Sequence, residues 1–249
     1  MKKYQLTLLS LCVAAFAQAK VTLPSFFTDN MVIQQNSQLT LPGKAKAGKQ
    51  VTVKVSWNYE KYTAKASADG HFSIEVPTPP AGGPFQITVS DGEKLVLNNV
   101  LSGEVWICSG QSNMEMPVAG WGKVMNYEQE VADADYPSIR LLQVKKTVAF
   151  SPQDNVEMNM NGWQECSSAT VPEFSSVAYF YARKLWKELN VPVGVIDCTW
   201  GGTIMDKPSD IEASHGIPEK DGRNGKRRLP KRETCRTLPS GNGRVASAV

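Results

Sequence analysis

The chain has 249 residues, 41% of them hydrophobic and 20% charged, with a formal net charge of +3. That length suits one large domain or two small ones, and the ordinary composition gives no sign of a low-complexity chain. The five cysteines are widely spaced, with no Cys-x-x-Cys pair and no histidine cluster, so neither a disulfide framework nor a zinc site is expected.

The first twenty residues read as a signal peptide. Lys2 and Lys3 make a charged start, Leu6 to Ala17 is largely apolar, and Ala17-Gln18-Ala19 is a small-x-small cleavage site. Such a run is shorter than the roughly 20 residues that span a bilayer. Cys12 sits inside the apolar run and not at its end, so it does not read as a lipid-modified cysteine. The expectation is an exported chain, periplasmic or extracellular, with no membrane span. The four remaining cysteines, Cys108, Cys166, Cys198 and Cys235, are expected as buried or free thiols.

Residues 20–99 read as a small β-sandwich. Val51, Val53, Val55 and Trp57 alternate with Thr52, Lys54 and Ser56, the period of a strand with one buried face. Asp69-Gly70, between Tyr62–Ser67 and His71–Val76, reads as a hairpin turn. Phe85 to Ser90 is another strand and Asp91-Gly92 another turn. Short strands at regular spacing suggest a sandwich.

From residue 100 the pattern becomes α/β. Val100 to Cys108 and Ile139 to Val144 are strand candidates. Pro172 to Leu189 is the clearest helix, with Phe174, Val177, Ala178, Tyr181 and Leu185 as an apolar stripe, stopped by Asn190 and Pro192. Val193 to Trp200 follows as a mostly apolar strand of the kind buried in a parallel sheet.

The string Gly110-Gln111-Ser112-Asn113-Met114 follows a strand candidate directly. A serine just past a strand end, after a glycine that lets the chain turn, is well placed to be a nucleophile at the carboxyl edge of a sheet. The Gly-x-Ser-x-Gly elbow is not met, because Met114 stands at its fifth position, and a turn serine that caps the next segment has the same appearance. Met114, Met116 and Trp121 fit either a plain core, the commoner reason, or a sugar-facing wall.

This string, preceded by Gly103-Glu104-Val105-Trp106, resembles the first motif block of SGNH hydrolases as it appears in sialate O-acetylesterases. Trp200-Gly201-Gly202-Thr203 resembles the second block, and Leu23-Pro24-Ser25-Phe26-Phe27 and Ala81-Gly82-Gly83-Pro84-Phe85 resemble the family's leading β domain. The resemblance runs in order over residues 21–203. It implies a β-sandwich domain followed by a flavodoxin-like parallel-sheet hydrolase domain over residues 100–204, incomplete here. It also implies an O-acetylated sugar as substrate, Ser112 as nucleophile, and the backbone N–H groups of Ser112 and Gly202 in the oxyanion hole. Gly110, Gln111, Asn113 and Gly201 complete the motifs. No metal or cofactor is implied. Acetylated xylan is the main competing substrate, and a binding module that has lost catalysis is the rival reading.

The family's Gln-Gly-Glu-x-Asn and Asp-x-x-His blocks do not occur in this sequence. Its two histidines are His71, in the leading β region, and His215, whose Glu212-x-x-His215 spacing imitates the last block too close to the second. Residues 205–249 hold ten Lys/Arg, six Asp/Glu and no aromatic residue, so a frameshift or truncation near residue 204 and a disordered tail are expected. Their +4 surplus is therefore not read as a nucleic-acid-binding or membrane-binding feature.

Overall fold

A computed structural model describes residues 20–151, 153, 155–202 and 244–247. The expected signal peptide, and the tail apart from Arg244–Ser247, lie outside the described residues. No described helix is long and apolar enough to cross a membrane.

Strands β1 (Val32–Gln34), β2 (Gln38–Lys44), β3 (Gln50–Val55), β4 (Lys61–Lys65), β5 (His71–Pro77) and β6 (Gly82–Ser90) precede a 17-residue strand β7 (Lys94–Gly110). Helices α1 (Ser112–Glu115) and α2 (Tyr127–Ala132) lead to β8 (Asp135–Gln143) and β9 (Gln164–Ser167). Then come α3 (Ser176–Leu189), β10 (Val193–Thr199) and β11 (Arg244–Ser247).

The alternation in β3 is realised. Val51, Val53 and Val55 are buried, and Lys54 is exposed between them. The Asp69-Gly70 turn also forms, through Gly70 N–H to the Ser67 carbonyl at 3.0 Å, but it does not close a hairpin. β4 pairs with β3, whereas β5 pairs with β2 in a separate two-stranded sheet. Both β3 and β5 carry a one-sided apolar pattern, and crossing between sheets at this turn lets both faces meet. Leu41, Phe72, Ile74 and Val76 from the small sheet share one core with Val51, Val53, Ile87 and Val89 from the large one. The Asp91-Gly92 turn does close a hairpin, with β6 antiparallel to β7.

β7 carries the architecture. Its first half pairs antiparallel with β6, Leu101–Gly103 run parallel to β1, and Glu104–Gly110 run parallel to β10. The expected boundary between residues 99 and 100 therefore falls inside one strand. On its other side β10 runs parallel to β8, which pairs antiparallel with β9. The sheet is mixed, in the order β4-β3-β6-β7-β10-β8-β9. Where the tail was expected to carry no element, β11 runs parallel to Trp106–Ser109 of β7.

Gly103 marks the point where β7 exchanges β1 for β10. The next residue, Glu104, donates its N–H to the Pro192 carbonyl at 2.9 Å. A β-carbon on Gly103 would lie 2.7 Å from the Pro192 carbonyl carbon and 2.9 Å from its Cβ. Backbone cannot yield as a side-chain tip can, so Gly103→Ala is expected to cost about 1–3 kcal/mol, as overpacking does. Urea unfolding followed by circular dichroism checks this, and an unchanged midpoint would refute it.

Helix α3 begins at Ser176, four residues later than the pattern from Pro172 suggests. Val171–Phe174 form a turn instead, and Ser175 caps the helix by accepting the Ala178 N–H at 3.2 Å. Ala178, Tyr179 and Ala182 are fully buried, and Val177, expected in the stripe, faces outward. The two alanines allow close approach to the sheet, beside Ile139, Leu141, Val193 and Val195. Arg183 lies over the Tyr179 and Phe180 rings and pairs with Glu130 of α2 at 2.5 Å.

Cys108 and Cys166 are buried and unpaired. Burial pushes both thiols up to about 12, with the Asp197 carboxylate adding to the effect at Cys108. The thiolate is the reactive form, so at pH 8 both remain neutral. Native protein treated with iodoacetamide at pH 8 is expected to leave both unmodified, and urea to expose both, as read by mass spectrometry.

Candidate functional site

Two turns meet at the carboxyl end of the parallel strands. The first leaves β7 at Gly110, whose φ of 154° and absent side chain let α1 fold back, since a β-carbon there would lie 2.6 Å from Met114 Cγ. The second leaves β10 through Thr199, Trp200, Gly201 and Gly202. They are joined where Trp200 N–H donates to the Gly110 carbonyl at 3.0 Å.

Ser112 opens α1 and is exposed, as is Asn113, while Gln111 is half-buried and Met114 is core. Helix α1 is a single turn, held by the start of α3. Ser175 Oγ donates to the Met114 carbonyl at 2.5 Å, and Ser176 N–H and Oγ both donate to the Met116 carbonyl at 2.8 Å. The clearest predicted helix thus fixes the short one that carries the serine.

Gly201 lies directly against Ser112. A β-carbon on Gly201 would stand 3.2 Å from Ser112 Oγ and 3.3 Å from its Cα. Gly202 adopts φ +75°, in the left-handed region that favours glycine, with open space where a side chain would be. The structure therefore sets Gly201 against Ser112 and ties the second turn to Gly110, with Gly202 next along the chain.

The sequence reading missed the polar frame around them. Glu115, one helical turn after Ser112, accepts the Gly201 N–H with one carboxylate oxygen and pairs with the Lys146 ammonium through the other. Asp197 is 2% exposed, and its Oδ1 accepts both Thr199 N–H at 3.0 Å and Thr199 Oγ at 2.6 Å. Its Oδ2 accepts from Gln143 Nε2 at 3.0 Å, and Gln143 Oε1 accepts from Asn159 at 2.8 Å. A short polar side chain bonded to its own backbone two residues on is a turn-setting device. Its sequence signal was the Asp197-x-Thr199 spacing ahead of Gly201-Gly202.

A cavity of about 240 Å³ opens beside this frame, lined by Glu115, Trp121, Gln143, Lys146, Asn159 and Glu173. Asp197 and Thr199 also contribute to it. Of the three residues read as core or sugar-facing wall, Met114 is core, Met116 is half-buried, and Trp121, 68% exposed, lines the cavity.

Neither histidine joins Ser112 among the described residues. His71 lies on β5 in the small sheet, 3.9 Å from Asp69. His215 is outside the described residues. Among the described residues no group of three or more His, Cys, Asp or Glu could hold a metal ion.

Residues 102–212 match the family described as carbohydrate esterase, sialic acid-specific acetylesterase. The sialate O-acetylesterase of Homo sapiens is 32% identical over 216 residues, covering 79% of this chain and 40% of that protein. The sialate O-acetylesterase of Rattus norvegicus is 28% identical over 215 residues, covering 78% and 39%. A crystal structure of a carbohydrate acetylesterase from Xanthomonas citri superposes with a TM-score of 0.68 at 32% identity, covering 75% of this chain and 41% of its own. The chain spans about two fifths of the length of these relatives.

Proposed function

Since the chain belongs to the sialic acid-specific acetylesterase family of carbohydrate esterases, we propose that it acts on O-acetylated sugars, with Ser112 as the nucleophile. The observation that carries this reading is the exposed Ser112 at the carboxyl end of β7, with the Gly201 backbone closed against its Oγ.

In this reading Ser112 Oγ attacks the acetyl carbonyl carbon. The bond from that carbon to the sugar oxygen breaks, the sugar leaves as an alcohol carrying the serine proton, and acetyl-Ser112 remains. Water then cleaves the acetyl-serine ester, releasing acetic acid and restoring the hydroxyl. Backbone N–H groups of Ser112 and Gly202 receive the negative charge that develops on the carbonyl oxygen. A donor of that kind is worth about 2.7–4 kcal/mol of barrier. Glu115 supports the arrangement by holding Gly201 through its N–H, which leaves Gly202 as the turn's open glycine. No described histidine stands beside Ser112, so this chain is expected to capture a reactive probe more readily than to turn over an ester.

A fluorophosphonate probe followed by peptide mapping tests the reading. An adduct on Ser112 is expected. No adduct on a chain with a folded circular-dichroism spectrum would overturn it and leave the leading β region as a binding module.

A further inference from the structure

The cavity that Glu115 shares with the turn holding Gly201 has a chemical character that the catalytic reading does not use. At about 240 Å³ it falls just below the ~300–1,000 Å³ of pockets for drug-sized ligands, a size suited to one sugar ring and not to an extended oligomer. Its rim carries Trp121, a large aromatic surface 68% exposed to solvent. An indole face combines an apolar body with a polar handle, which suits a ring that has both C–H faces and hydroxyls.

The charges are one-sided. Glu115, Glu173 and Asp197 contribute three carboxylates, and Lys146 is the single cation in the lining. Lys146 is already paired with Glu115. Asp197 is consumed by Thr199 and Gln143. Glu173 differs. It is exposed, and among the described residues no side chain donates to its carboxylate. Asn159 gives its amide N–H to Gln143, which leaves its own carbonyl oxygen turned to acceptor duty. Acceptors of this kind take hydrogen bonds from sugar hydroxyls, and a surplus of carboxylates repels another carboxylate.

We propose that this cavity is a subsite for an uncharged glycosyl ring, stacked on Trp121 and held through its hydroxyls by Glu173 and Asn159, and that it disfavours sugars bearing a carboxylate. The proposal rests on the esterase reading for the ester that such a ring presents to Ser112, and it narrows the substrate from O-acetylated sugars in general to neutral ones.

Binding decides it independently of catalysis. The full chain is titrated by calorimetry with an acetylated xylo-oligosaccharide and, separately, with 9-O-acetyl-N-acetylneuraminic acid. The neutral sugar is expected to bind at least tenfold more tightly at low salt. Raising salt, which screens exposed charges, should narrow that gap by weakening the repulsion of the acidic sugar. Trp121→Ala, at an exposed position, should weaken the neutral sugar at least tenfold with an unchanged circular-dichroism spectrum. Glu173→Gln should improve the acidic sugar relative to the neutral one. Equal or tighter binding of the acidic sugar, binding indifferent to Trp121→Ala, or no binding of either sugar would each overturn the subsite. Probe labelling of Ser112 in the same preparation separates the two claims. Labelling without neutral-sugar binding sinks the subsite alone, and neutral-sugar binding without labelling sinks the esterase reading alone.

Discussion

Ser112→Ala is expected to abolish fluorophosphonate labelling altogether and to remove any acetate release from an acetylated sugar. Removing the nucleophile of a serine hydrolase costs on the order of 10⁶ in turnover, more than any change that only shifts the site's geometry. The loss should be purely chemical. Ser112 is exposed, and α1 is anchored by bonds from Ser175 and Ser176 to the Met114 and Met116 carbonyls, none of which uses the Ser112 side chain. Thermal unfolding of the variant should therefore match that of the parent. Residual labelling elsewhere on the variant, or a fall in stability that accounts for the lost signal, would count against the assignment.

Arg140→Met is expected to lower the unfolding free energy by about 1–3 kcal/mol without touching the site. Arg140 is 3% exposed on β8. Its Nε donates to the Pro137 carbonyl at 2.7 Å and Nη1 to the Asn30 carbonyl at 3.1 Å, while Nη2 lies 3.2 Å from a Glu165 oxygen. Burial pulls the guanidinium below its ordinary range and Glu165 pushes it back up. Methionine keeps most of the volume but loses the bond to the half-buried Asn30 carbonyl and the pairing with Glu165, at ~1–3 kcal/mol for a group left unmade, whereas the Pro137 carbonyl is at the surface and can turn to water. Asn30 precedes β1, so the Nη1 bond is one that ties the leading β region to the parallel sheet, while the Nε bond stays within β8. Glu165 is half exposed, and Glu165→Gln should cost no more than the ~1 kcal/mol of a surface pair. Chemical denaturation of both variants checks the contrast, and equal losses would refute it.

Local chemistry was legible where one period governed a segment. The alternation of Val51, Val53 and Val55 and the apolar run of β10 were both set by burial on a sheet, so the residues alone reported them. What failed were features that depend on partners. The Asp69-Gly70 turn was visible, but which strand each arm would pair with was decided by the shared core and not by the turn. The buried face of α3 runs through Ala178, Tyr179 and Ala182 and leaves Val177 outside, because the sheet it packs on, and not the apolar pattern alone, selects the face. At the site, the glycine turns and Ser112 stood out as motifs. Glu115, Lys146, Gln143 and Asp197 did not, since they come together only when β7, β8 and β10 lie side by side and the loop after β8 returns beside α1.

The continuity of β7 bears on how such a chain could be taken apart. A leading β region joined by a linker could be excised, duplicated or exchanged as a cassette, with the rest left intact. Here the same strand forms the hairpin with β6 at one end and delivers Ser112 at the other. Cutting between residues 99 and 100 would split that strand and strip its remainder of β6 and, if the cut removes everything before it, of β1. An exchange of the leading part that respects the fold would accordingly have its junctions in the loops flanking this strand, not within it.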